Sequence, residues 1–327
     1  MDIAIIGAGA YGTALAQVLS QKHKIRLYND VARVVDEINE RHTNRQFLND
    51  VKLDPSITAS TDFSTIGLNQ AVFIAVPAQA VRKVCTQISG LLSNKLPVIS
   101  CSKGIEQATG MFMSELISQN LSNPAFVLSG PSFAAEISRN MPTAVNLVGE
   151  NLADTSELAE KLSTKDFKVM PTENLIGVQA CGAFKNVLAI VIGIVRGLNL
   201  GNGAESAVLA KGIREIATFI QKTTDRSDTI LSLSGIGDIV MTCFNATSRN
   251  HMLGVKIARN EVAFPLDGID LNQNPLAEGA LTIKAWPQIT RRYEKHCQIE
   301  TDMPLFASAY ALLCGRLSFS ELVARAI

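Results

Sequence analysis

The strongest constraint on this chain stands at its beginning. Asp2–Ile6 reads as a short strand, apolar after its first residue, of the kind buried on both faces of a parallel sheet. Gly7-Ala-Gly-Ala-Tyr-Gly12 follows without a gap, and a helical pattern then runs from Thr13 to about Gln21. A G-x-G-x-x-G that closes a strand and opens a helix says far more than the same letters elsewhere. Its glycines permit a tight turn, the approach of a pyrophosphate and close helix–sheet packing, while the helix N-terminus offers N–H donors and partial positive charge. Gly7, Gly9 and Gly12 are therefore read as a dinucleotide cradle, against the alternative of a merely tight turn. The second strand, Ile25–Tyr28, ends at Asn29-Asp30, and Asp30 lies 18 residues after Gly12. That is close to the ~20 expected of the acid that hydrogen-bonds a ribose. A carboxylate there repels a 2′-phosphate and favours NAD over NADP, with Arg33 nearby pulling the other way. Asp30 is also placed to cap the helix Val31–Arg41.

The alternation continues. Ile57–Ala59, Ala71–Val76, Pro97–Cys101, Ala125–Leu128, Thr143–Val148 and Phe167–Met170 read as strands, with helices at Ala78–Ile88 and near Thr155–Leu162. Strands alternating with helices imply βαβ units and a doubly wound sheet, in which ligands bind beyond the carboxyl ends of the strands. Lys103, in Ser102-Lys103-Gly104, follows one such end and is either a cation aimed at a ligand or a surface lysine. In Ser129-Gly-Pro-Ser-Phe-Ala-Ala-Glu136, Gly130 allows a close approach, and Ser132 is either a hydrogen-bond donor or the cap of the next helix. Pro171-Thr-Glu-Asn connects to a different kind of segment.

Gly177–Val195 reads as a helix apolar nearly all round, interrupted by Lys185. At 3.6 residues per turn its neighbours are Val178, Cys181, Leu188, Ala189 and Ile192, none of which can pair with an ammonium. Either the tail reaches water past a buried stem, or desolvation lowers its pKa and makes it a general base. Helices without strands follow: a Gly197–Gly203 glycine-rich loop, a helix over Ser206–Ile220, a polar turn at Lys222–Asp228, then Leu233-Ser-Gly-Ile-Gly-Asp238. Asp238 is either a helix cap or a carboxylate held near Lys185. Asn245-Ala-Thr-Ser-Arg-Asn-His251 precedes a helix at His251–Arg259, and its hydroxyl, guanidinium and amide groups suit a phosphate as well as they suit a capped turn. Leu276-Ala-Glu-Gly279 and helices at roughly Ala280–His296 and Leu305–Gly315 complete the chain.

With 327 residues, 47% hydrophobic and 18% charged, about two folded domains are expected, here 1–173 and 174–327. Thirty basic residues balance thirty acidic ones, so no overall charge points to nucleic acid or an anionic membrane. The six cysteines are scattered and His251 has no second ligand at metal spacing, so reduced thiols and no metal site are expected. The first strand leaves no room for a leader peptide, and the longest apolar run, Val187–Val195, is far short of the ~18 residues a span needs. A soluble, cytoplasmic protein is the expectation.

Taken together, Gly7–Gly12, Ser102-Lys103-Gly104, Ser129–Glu136, Gly182-Ala-Phe-Lys-Asn186, Gly235–Cys243 and Ser248-Arg249-Asn250 occur in this order at these spacings. On them the chain closely resembles the bacterial NAD(P)-dependent sn-glycerol-3-phosphate dehydrogenase family, over essentially its whole length. The resemblance implies an N-terminal Rossmann domain, an all-helical C-terminal domain, a homodimer, and reduction of dihydroxyacetone phosphate to the glycerophospholipid precursor sn-glycerol 3-phosphate. It assigns general acid/base work to Lys185 and substrate contacts to Lys103, Gly130, Ser132, Asp238, Ser248, Arg249 and Asn250. Cofactor contacts fall on Tyr11, Lys103, Ala134, Arg249, Ala277 and Glu278. Three positions depart from the family pattern: Asp30 replaces a frequent Arg or His, Glu205 follows Gly201-Asn202-Gly203 where a basic residue is common, and Lys211 replaces an arginine. Competing readings are a related dehydrogenase of 3-hydroxy acids or 6-phosphogluconate, and a non-catalytic NAD-binding regulator.

Overall fold

The computed structural model describes residues 1–262, 265 and 277–327; Leu276, noted above, lies outside them. The chain forms two compact units, Met1–Ser102 with Met113–Leu175, and Lys103–Phe112 with Ile176–Ile327. By compactness the division falls at 175/176, and a ten-residue excursion, Lys103–Phe112, belongs to the second unit.

The first unit is built on strands β1 (Asp2–Ile6), β2 (Lys24–Tyr28), β3 (Thr58–Ser60), β4 (Ala71–Ile74), β5 (Val98–Ser100), β6 (Ala125–Ser129), β7 (Thr143–Gly149) and β8 (Phe167–Thr172). They lie in the order β3-β2-β1-β4-β5-β6-β7-β8, with β1 to β6 parallel and β7 antiparallel to β6. The reversal of strand order between β1 and β4 is the switch point at which doubly wound sheets bind ligands. Helices α1 (Ala10–Leu19), α2 (Ala32–Arg41), α3 (Val81–Ile88), α4 (Met113–Asn120), α5 (Ala134–Ile137) and α6 (Leu152–Leu162) connect the strands. Ile3, Ile5, Leu15, Leu27, Phe73 and Phe167 share one buried core, as expected where β-rich apolar runs are covered by amphipathic helices. β8 runs through Pro171 and Thr172, so the connector is shorter than the sequence suggests. Its alternating buried and exposed positions carry the strand past a proline, which edge strands tolerate.

The second unit is helical: α7 (Leu175–Gly197), α8 (Asn202–Thr224), α9 (Asp238–Phe244), α10 (Arg249–Ala258), α11 (Glu278–Lys284), α12 (Trp286–Tyr293), α13 (Ile299–Asp302), α14 (Pro304–Leu313) and α15 (Phe319–Ala326). α7 is its axis. By length and a mean hydropathy of 1.8 it is the one helix among the described residues long and apolar enough to cross a membrane, yet its apolar stretch is wholly buried inside the protein. Phe184 meets Phe219 and Phe306 edge-on at 5.1 and 5.4 Å. Close backbone contact fixes α10 against it: a Cβ on Gly254 would stand 2.0 Å from the Ile190 carbonyl oxygen, and one on Gly193 2.1 Å from that of His251. α11 approaches equally closely, since a Cβ on Gly279 would lie 2.4 Å from the Asn186 oxygen.

Several sequence expectations change here. Gly197 ends α7 and Asn202 already begins α8, so the glycine-rich loop shrinks to a few residues around Gly201 (φ 88), and α8 extends to Thr224. Glu205 is buried and forms a bidentate pair with Arg196, which gives a carboxylate there a structural role of its own. Lys211 donates to the Arg325 carbonyl oxygen at the end of α15. Ala280–His296 is two helices, because Pro287 in the first turn of α12 cannot continue the hydrogen-bond ladder of α11. Glu215 accepts from the backbone N–H groups of Leu305 (2.9 Å) and Phe306 (3.3 Å), capping α14 from another helix, and burial pushes its carboxyl up to about 7.

Candidate active site

Lys185 does not reach water. Its ammonium is buried and donates to Asp238 Oδ1 at 2.5 Å and Thr242 Oγ1 at 2.8 Å. The partner that its own helix lacks comes from α9, where Asp238 and Thr242 share a face at i, i+4. Asp238 opens α9 as its first residue, not as its cap. It is delivered by an irregular turn, Leu233–Gly237, kinked at Gly235, where a Cβ would stand 2.1 Å from the Ile230 oxygen. The other carboxylate oxygen, Oδ2, accepts from Lys103 Nζ at 2.7 Å. One buried carboxylate therefore holds two ammonium groups.

The electrostatics follow from that arrangement. Burial lowers the Lys185 pKa; Asp238 raises it and Lys103 lowers it again, and the balance leaves it at about 8 instead of 10.5. Burial alone would raise the Asp238 carboxyl, but Lys103 and Lys185 outweigh it and hold the group below the ordinary carboxylate range. The cluster is thus a carboxylate with a lysine that titrates near neutrality. Among the described residues the third Lys185 N–H has no acceptor, so it is free for a ligand.

Around this centre, Asn186 Nδ2 donates to Gly182 O (3.2 Å) and to Lys103 O (3.5 Å). Asn250 Nδ2 donates to Asn186 Oδ1 (3.0 Å), and Asn250 Oδ1 accepts from the Gly279 N–H (2.9 Å). Most of the Asn250 amide is therefore spent tying α10 to α7 and α11, leaving one Nδ2 proton. α10 begins earlier than its sequence suggests, with Ser248 as N-cap (Oγ to His251 N, 3.4 Å) and Arg249 and Asn250 in the first turn. Arg249 is exposed and makes no side-chain hydrogen bond among the described residues. His251 is buried, and desolvation lowers its pKa. Ala277 is the N-cap of α11 and Glu278 its first residue. Among the described residues there is no group of three metal-ligating side chains.

The first unit holds the remaining candidates. Gly7 has φ 105 and lies so close to β4 that a Cβ would stand 2.8 Å from Ala75 O; a Cβ on Gly12 would fall 1.9 Å from Gly7 O. A Cβ on Gly9 would meet nothing within 4 Å. The outer glycines thus close the turn, and the middle one borders open space at the N-terminus of α1, which fits an approaching pyrophosphate. Asp30 is exposed and does not cap α2: the cap position is Val31, whose N–H is taken by Asn29 Oδ1 (2.8 Å). Arg33 donates to Gln46 Oε1 (3.0 Å). Ser132 is not a cap either, because α5 starts after Phe133; its Oγ donates to Gly130 O (3.1 Å) and lies 3.3 Å from the Tyr11 hydroxyl. Gly130 makes room for a backbone, since a Cβ there would stand 2.9 Å from Val145 Cα. Ala134 opens α5.

The structure brings Lys103, Lys185 and Asp238 into one cluster, and adds Thr242 and Asn186, which the sequence reading passed over. Thr242 was findable as the residue one turn after Asp238. A comparison with known proteins decides what the two units amount to. Residues 2–155 match the family model for the NAD-dependent glycerol-3-phosphate dehydrogenase N-terminus, and residues 174–324 match that for its C-terminus. The chain belongs to the NAD-dependent glycerol-3-phosphate dehydrogenase family. Among family relatives, glycerol-3-phosphate dehydrogenase [NAD(P)+] of Brucella canis is 36% identical over 98% of this chain and 95% of its own. That of Chelativorans sp. is 39% identical over 86% and 84%. The crystal structure of glycerol-3-phosphate dehydrogenase from Coxiella burnetii superposes with a TM-score of 0.86 at 30% identity, covering 99% of this chain and 97% of that one. The Rossmann sheet followed by a helical domain is the architecture shared across this family.

Proposed function

We propose that the chain catalyses reversible hydride transfer between NAD(P)H and dihydroxyacetone phosphate, giving sn-glycerol 3-phosphate for glycerophospholipid synthesis. The observation that carries the chemistry is the buried Lys185 ammonium, held by Asp238 and Thr242 and titrating at about 8. When bound, the nicotinamide supplies or accepts the hydride at C2. Lys185 stabilises the charge developing on the C2 oxygen and gives it a proton in reduction, and removes that proton in oxidation. Asp238 orients Lys185 and keeps it basic enough to be protonated near neutrality. Lys103, held by the same carboxylate, contributes a second positive charge and a substrate contact. Arg249, with the N-terminus of α10 capped by Ser248 and the remaining Asn250 proton, grips the substrate phosphate and aligns C2. Gly130 and Ser132 complete the substrate contacts.

Gly7, Gly9, Tyr11 and Gly12 hold the dinucleotide, with Asp30 at its ribose and Lys103, Ala134, Arg249, Ala277 and Glu278 as further contacts. The glycines separate two effects. Gly9→Ala, with φ −72 and open space at the new methyl, is expected to leave the melting temperature within about 1 °C while weakening NADH binding roughly tenfold or more. Gly12→Ala drives a methyl into Gly7 O and is expected to cost on the order of 2 kcal/mol of stability. Equal effects of the two on melting would sink this reading of the cradle.

Asp30 favours NAD, since its exposed carboxylate repels a 2′-phosphate and Arg33 is engaged by Gln46. In Asp30→Arg the ratio of kcat/KM for NADPH over NADH is expected to rise about tenfold or more, the equivalent of ~1.4 kcal/mol; an unchanged ratio would remove Asp30 from cofactor choice. The protein acts as a cytoplasmic homodimer with no nucleic-acid or membrane partner, which sedimentation of the full chain tests. The decisive assay is oxidation of NADH and NADPH with dihydroxyacetone phosphate, beside 3-oxo acids and the 6-phosphogluconate couple as competing substrates. Turnover on one of those competitors in preference to dihydroxyacetone phosphate would overturn the proposal.

A further inference from the structure

Asn44 is completely buried, in the stretch after α2. Its side-chain Nδ2 donates to the carbonyl oxygen of Ala8 at 2.8 Å and to Thr13 Oγ1 at 2.9 Å. Ala8 lies between the first two glycines of the fingerprint, and Thr13 lies in α1, one residue past the third. The direction of the amide is settled by chemistry, because a peptide carbonyl can only accept. The other end of the same amide, Oδ1, is buried without a donor among the described residues.

A buried, half-satisfied amide is a poor way to stabilise a core, so the donors are what the position requires. Their effect reaches the next peptide. In a planar trans peptide the carbonyl and the following N–H point in opposite directions. Holding the Ala8 carbonyl on Asn44 therefore points the Gly9 N–H away from Asn44, and the loop is open beside that residue, where a Cβ on Gly9 would meet nothing within 4 Å. The second proton, on Thr13, ties that peptide to the first turn of α1, so loop and helix N-terminus keep a fixed relation.

We propose that Asn44 is a positioning residue for the dinucleotide: it sets the Ala8–Gly9 peptide so that the Gly9 N–H faces the pyrophosphate. The proposal rests on the reading of Gly7–Gly12 as the cofactor cradle. Asn44 touches no cofactor atom in this account and acts through the backbone of Ala8.

The test is titration of the full chain with NADH, followed by nicotinamide fluorescence without substrate, alongside the KM for NADH and kcat. Asn44→Asp keeps the shape, loses both donors and turns a carboxylate toward the Ala8 carbonyl. It is expected to raise the Kd and KM for NADH at least tenfold, with kcat at saturating NADH falling much less. Thr13→Val removes one of the two acceptors and is expected to raise Kd about threefold. A merely structural role lowers the folded fraction and hence kcat, and leaves Kd and KM in place. A folded Asn44→Asp with Kd within twofold of the parent overturns the proposal. Should Asn44→Asp fail to fold, Thr13→Val decides, and an unchanged Kd there overturns it equally. Absence of NADH binding by the unaltered chain is a separate result, which would bring down the cradle reading itself.

Discussion

Lys185→Ala is expected to lower kcat about 10³-fold in both directions, within the range that a positioned acid–base group contributes. Circular dichroism and a melting curve on the same preparation establish that the fold persists. Turnover within tenfold of the parent in a folded variant would remove Lys185 from the chemistry. The pH profile gives a second, independent reading. With Lys185 titrating at about 8 in the free protein, reduction needs the protonated form, so its kcat/KM should fall as pH rises through that value. Oxidation needs the neutral form, so its kcat/KM should climb through the same value and then level off. Both limbs should vanish from the residual activity of the alanine variant.

Asp238→Asn should be the most informative of the partner changes, because it removes one charge and leaves two facing each other. Lys185 and Lys103 both rest on this carboxylate, at 2.5 and 2.7 Å. Breaking a buried pair strands the remaining charge, at a cost of about 3 kcal/mol, or a melting shift on the order of 10 °C. The catalytic signature differs from simple destabilisation. Asp238 raises the Lys185 pKa, while burial and Lys103 lower it. Without the carboxylate the lowering influences of burial and Lys103 dominate, so both pH limbs should move below about 8, and reduction at pH 7.5 should suffer more than oxidation. If the limbs stay where they are in the parent, Asp238 does not tune Lys185, whatever happens to stability.

What could be read from the sequence was mainly what is local or periodic. Alternating strands and helices, and a glycine turn between the first strand and helix, depend on neighbours within a dozen residues, and so they are written in short windows. Lys185 could be singled out as an anomaly on an apolar helix, but not its surroundings. Whether such a lysine snorkels or is buried depends on a carboxylate 53 residues away, and no helical wheel contains that. Asn44 was invisible for a related reason: an asparagine in a polar stretch looks like a turn, and only the fold shows that it is buried against the glycine loop. Ser132 and Asp30 were each offered capping as an ordinary alternative, and in neither case does the side chain cap the helix. Element ends were missed in opposite senses: Gly203 reads as a loop residue yet lies in the first turn of α8, whereas one helix was read through Pro287, which in fact stands in the first turn of a new one.

The excursion Lys103–Phe112 makes the second unit a body of two separate chain segments. No single cut between the units preserves it: a fragment beginning at residue 176 carries Lys185 and Asp238 but leaves Lys103 behind. Order of synthesis matters for the same reason. Lys103 and Asp238 are 135 residues apart, and at roughly 5–20 residues per second a nascent Lys103 waits on the order of ten seconds for its carboxylate. The first unit can assemble its sheet in that interval, whereas the paired-lysine centre can close only after Asp238 has been made.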